Sequence, residues 1–87
     1  MELTLRYITD PGHGWLEVPK SLLVELEIQD KITDYSYEKG TMAYLEEDCD
    51  MATFMRACYE NKLAVTVDEI YQDRTPIRNY NHYSLAA

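Results

Sequence analysis

Basic residues are scarce in this chain: eight Lys and Arg stand against sixteen Asp and Glu in 87 residues, a formal net charge of −8. The resulting field repels nucleic-acid phosphates and attracts basic surfaces, so direct DNA or RNA binding is disfavoured. Cysteine is limited to Cys49 and Cys58, too few and too close to one helical stretch for the disulfide framework of a small secreted domain; both read as reduced thiols. No apolar run approaches the roughly 20 residues of a membrane span, and the start, Met1-Glu2-Leu3-Thr4-Leu5-Arg6, lacks the basic and apolar regions of a signal peptide. The expectation is a cytoplasmic protein that does not enter a membrane. Phosphate-binding loops, dinucleotide loops, nucleophile elbows and Cys–His dyads leave no trace either, which points away from an enzyme and from a bound cofactor.

The chain does have enough apolar content, 46%, for one small core. At this length stability is modest, and a partner or a second copy of the chain would add to it, so a homodimer is compatible with the composition. The reading divides the chain into a single α+β domain over residues 1–73 and an irregular C-terminal tail over 74–87. Charge follows the same division: all sixteen acids lie in the first part, whereas the tail holds Arg74 and Arg78 and no acid.

Leu3, Leu5 and Tyr7 alternate with Thr4 and Arg6, the period-two signature of a half-buried strand. Asp10-Pro11-Gly12 is a turn sequence, with Asp as local acceptor, Pro fixing φ and Gly supplying a positive φ; Gly14 permits a second unusual angle. Trp15-Leu16-Glu17-Val18 then returns as the second strand of a hairpin with a loop of about four or five residues. Leu22, Leu23 and Leu26 follow Pro19 at helical spacing. Residues 31–38 alternate aromatic and polar side chains as a strand would, and Lys39-Gly40 turns them into a partner strand over 41–45. Met51, Phe54, Met55 and Cys58 recur at i, i+3, i+4 and i+7, an amphipathic helix with Asp48 or Asp50 as N-cap. Residues 63–67 supply a fifth strand. The order ββαββαβ implies a two-layer α+β sandwich, a mainly antiparallel sheet of about five strands with two short helices on one side.

Candidate functional residues are few. His13, framed by glycines, could act as a base or a contact, but no nucleophile is placed beside it, and it reads as a polar loop-tip residue available for contact. Trp15 is either an interaction anchor or a packing residue at the edge of the core. The run Glu46, Glu47, Asp48, Asp50 lacks the glycine and terminal glutamate of a calcium loop, and Cys49, Cys58, His13 and His82 match no zinc spacing, so no metal is expected from the spacing. As a surface the run is base-free, and Asp68 and Glu69, with Asp73, form a second one. If the fold joins them, the patch could imitate a phosphate backbone or grip an arginine-rich groove.

The stretch Asp10-Pro11-Gly12-His13-Gly14-Trp15-Leu16, followed by Val18-Pro19, Tyr35-Ser36-Tyr37 and Ala43-Tyr44-Leu45-Glu46-Glu47-Asp48-Cys49-Asp50, resembles small, mostly uncharacterised proteins of bacteriophages, plasmids and other mobile elements, over about residues 7–58. That resemblance carries no catalytic residue to transfer. It implies an accessory protein. With the charge, it leads to the expectation of an acidic protein that binds and inhibits a host protein, foremost nucleic-acid-handling defence machinery such as a CRISPR or restriction complex. Its contacts would be Glu46, Glu47, Asp48, Asp50, Asp68, Glu69, His13 and Trp15. The alternative is a small regulatory or ligand-sensing domain using the loop between Gly12 and Trp15; a hollow beneath Trp15 would favour it, and a flat acidic face would favour protein binding.

Overall fold

Strand β1 (Glu2–Thr9) and strand β2 (Gly14–Pro19) form the expected hairpin, in the register Tyr7 opposite Leu16, Ile8 opposite Trp15 and Thr9 opposite Gly14. The computed structural model describes residues 2–85. In the loop, one Asp10 carboxylate oxygen accepts the backbone N–H groups of Gly12 and His13 at 2.9 and 2.8 Å, an Asx turn closed by the Asp10 N–H on the His13 carbonyl. Neither Gly12 nor Gly14 uses a positive φ; among the described residues Gly40 is the glycine that does. Gly14 is needed for room instead. The Tyr7 ring lies across it, and a Cβ there would come within 2.3 Å of the tyrosine oxygen.

Pro19 closes β2 and, at φ −60°, serves as the N-cap of helix α1 (Lys20–Glu25) rather than a residue of its first turn. The strand expected over 31–38 shrinks to β3 (Tyr37–Lys39). Its first half instead wraps a buried carboxylate: Asp50 accepts the Thr33 N–H at 3.0 Å, the Thr33 hydroxyl at 2.7 Å and the Ser36 hydroxyl, which bends the backbone out of the extended form. Strand β4 (Met42–Glu46) follows, then helix α2 (Asp50–Glu60), whose apolar stripe buries Phe54, Ala57 and Cys58 as its spacing implies. Cys49 holds the N-cap position and no side chain caps it, because the Asp50 carboxylate is committed to Thr33 and Ser36.

Strand β5 (Ala64–Tyr71) pairs with β1 in parallel, from Glu2 opposite Ala64 to Thr9 opposite Tyr71. Helix α2 imposes this: β4 runs with β1, and a helix that returns the chain across the sheet delivers the next strand in the same direction. A sixth strand, β6 (Asn81–His82), pairs with β3, giving the order β5-β1-β2-β4-β3-β6. The fold is α+β as expected, and the sheet is mainly antiparallel, with β1–β5 its one parallel pairing among the described residues; it has six strands where about five were expected.

Both sheet faces are covered, each for its own reason. Leu5, Leu16, Val18, Ala43 and Leu45 meet Leu23 of α1 and Phe54, Ala57 and Cys58 of α2 on one face. On the other, Ile8, Trp15 and Tyr44 pack against Ile77. Ile77 belongs to a short 3-10 turn (Pro76–Asn79) whose entry is capped by the Thr75 hydroxyl. The segment read as an irregular tail is therefore an ordered strap over its described part, with Thr75, Ile77 and Tyr83 buried.

Candidate functional site

The eight candidate residues separate into three groups. Asp50 is wholly buried and cannot touch a partner. Trp15, 2% exposed, is a packing residue rather than a loop-tip anchor, because the strap residue Ile77 and the Arg78 guanidinium, 5.4 Å from its ring, lie over it. His13, Glu47, Asp48, Asp68 and Glu69 are exposed, and Glu46 is half-buried.

The two acidic runs do meet, through Tyr7. Its hydroxyl donates to Glu47, and its strand partner is Glu69. Burial, the Glu47 acceptor and the nearby charges of Glu69 and Asp48 push the Tyr7 phenol far above its ordinary value. Among the described residues neither Glu47, Asp48 nor Glu69 forms an ion pair with a Lys or Arg. Asp68 is the exception to the convergence: strand alternation turns it to the opposite face, beside Arg6 in register.

A cleft of about 510 Å³ opens beside this patch. Its walls are His13 and Trp15 from β2 and its loop, Tyr37 and His82 from the far strands, Glu46, Asp48 and Cys49 from the β4–α2 connection, and Arg78 from the strap. The wall is locked: Arg78 grips Asp10 through two bonds of 2.7 and 3.0 Å, and these hydrogen bonds, with those from the Gly12 and His13 N–H groups, hold the Asp10 carboxyl well below the usual carboxylate range. That pair ties the hairpin loop to the strap. Tyr37 stacks on His82 with centroids 4.8 Å apart, while the His82 Nδ1 lies 2.7 Å from the Asp34 carbonyl. That bond makes Nδ1 the protonated nitrogen of a neutral ring and leaves Nε2 with a lone pair.

Glu46 occupies the most constrained position. Its N–H donates to the Ser36 hydroxyl at 2.9 Å, one of its oxygens accepts the Asp48 N–H at 3.0 Å, and the other stands 3.7 Å from the His13 Nδ1. Partial burial, with the Asp48 charge next in weight, raises its carboxyl above the ordinary value. Cys49 at the rim is pushed up as well, by desolvation and then by the Asp50 charge, which disfavours a reactive thiolate there.

Sequence reasoning reached His13, Trp15, Glu46 and Asp48 but missed Tyr37, His82 and Arg78. Only the base-only composition of 74–87 hinted at Arg78, since its acidic partner lies 68 positions away. No helix among the described residues is long and apolar enough to cross a membrane. The chain matches no family model, no curated protein and no solved structure, so the geometry of the patch and the cleft carries the functional reading.

Proposed function

We propose that this is a non-enzymatic, acidic interaction module that binds a basic surface of a host protein. A target among nucleic-acid-handling defence complexes suits it, because such complexes present grooves built for phosphates. One observation carries the reading: Glu47 and Glu69, from separate acidic runs, converge around Tyr7 with Asp48 nearby and without a Lys or Arg ion pair among the described residues. Carboxylates without a Lys or Arg partner in their own fold are available for charge-assisted bonds to arginine.

The test is recovery of nucleic-acid-handling complexes by the tagged protein from bacterial cells, wild type against Glu47→Lys/Glu69→Lys. Asp50 stays untouched because it is structural. The expected outcome is loss of the bound complex and of any block on its DNA binding; equal recovery by the reversed variant would remove the electrostatic mechanism.

A second reading, a small ligand-sensing domain, is favoured by the cleft lined by Trp15, whose volume lies within the ordinary range for small-molecule sites. Saturable shifts of the Tyr37 and His82 ring resonances on addition of a small molecule, with Glu69 unmoved, would select it.

A further inference from the structure

We propose that His13, Glu46 and Asp48 form a binding site for a divalent first-row transition cation, of which zinc is the type, on the wall of the cleft. One donor atom from each residue lies within 4.8 Å of the other two. The His13 Nδ1 and the free Glu46 oxygen are 3.7 Å apart, too far for a hydrogen bond. Two ligands of a tetrahedral ion with bonds of about 2.1 Å stand roughly 3.4 Å apart, so the gap suits an ion between them. One imidazole nitrogen and two carboxylate oxygens suit zinc, cobalt or manganese better than calcium or magnesium, which favour oxygen throughout.

The donors are held in place by bonds other than their own. His13 is fixed at its backbone by Asp10, which Arg78 clamps from the strap. Glu46 is fixed by the Ser36 hydroxyl, which in turn donates to buried Asp50. Asp48 is tied through its N–H to the Glu46 oxygen that does not face His13. Such outer bonds orient ligands and restrict their motion, as metal sites require.

Two features independent of the carboxylates also point to a bound group. Trp15 lines the cleft, and its indole N–H is buried without an acceptor. His82, on the same cleft, has its Nδ1 engaged by a backbone carbonyl, the arrangement that leaves the other ring nitrogen a lone pair with which to bind a metal or accept from its bound water. Three protein ligands leave coordination positions open toward the cleft.

The inference rests on neither reading of the function: Glu69→Lys strikes the patch alone and His13→Ala the cation site alone. The experiment is calorimetric titration of the chelator-treated full chain with zinc chloride, together with the visible spectrum of its cobalt complex. Expected are saturation at one ion per chain, a cobalt spectrum without a thiolate charge-transfer band, and affinity lowered by about tenfold or more in His13→Ala and in Glu46→Gln. Cys49→Ser should bind zinc as the wild type does. Zinc affinity unchanged in His13→Ala, a thiolate band abolished by Cys49→Ser, or no saturable binding by the folded wild type would each overturn the assignment. His13 is an exposed loop residue, so its replacement leaves the core intact; Asp48→Asn, also exposed, repeats the test from the other side of the site.

Discussion

Asp50 looks in the sequence like one more member of an acidic surface run, and it is the one that the fold internalises. Three donors, the Thr33 N–H and the Thr33 and Ser36 hydroxyls, converge on one of its oxygens. Asp50→Ala would leave those donors without an acceptor in a buried setting, at a cost of about 3 kcal/mol, whereas Asp48→Ala at an exposed position should stay within about 0.5 kcal/mol. Urea unfolding midpoints of the two variants check both values. Nothing local distinguishes the two aspartates. The difference arises from Thr33 and Ser36, distant in sequence, and the same long-range cause converts an expected strand into a loop. Trp15 was open to two readings for a similar reason: its surroundings depend on Ile77 and Arg78, far along the chain.

Elements whose partners are neighbours were legible. Alternation located β1, the Asp-Pro-Gly turn located the hairpin, and the four-residue stripe located α2, because in each case burial on one face writes a period into the sequence. The strap has no such period. Ile77, Tyr80 and Tyr83 divide their contacts between both sheet faces, Ile77 and Tyr80 on one and Tyr83 on the other, so their apolar side chains follow neither a helical nor a strand repeat. The parallel pairing of β5 was hidden too, since direction is a property of the connection and not of the strand. If the strap is part of the core, Ile77→Ala should lower stability by about 2 to 4 kcal/mol. The same substitution should move the Trp15 emission to longer wavelength as water reaches the indole; an unshifted spectrum with wild-type stability would mean that the strap only rests on the sheet.

On the scale of the whole molecule, one end collects acid and one face is closed by the segment that contains bases alone. Ionisation of a tyrosine within this arrangement adds a further negative charge to an already acidic protein. Tyr7 is raised by desolvation first and by its bond to Glu47 second, and Tyr83 is raised by desolvation and then by Glu38. Both phenols thus ionise at higher pH in the folded chain than in the unfolded one, where the value is about 10. Their contribution to stability is complete below that unfolded value and is lost as pH rises toward the folded one, because the unfolded state releases the protons first. Urea midpoints should therefore hold steady through neutral and mildly alkaline solution and fall steeply beyond about pH 10. Tyr7→Phe isolates the share of one residue. It removes both the bond to Glu47 and the titrating group, so it should lower the midpoint at pH 8 yet flatten the alkaline decline; parallel declines in the two proteins would show that the charge cluster around Tyr7 does not couple to folding.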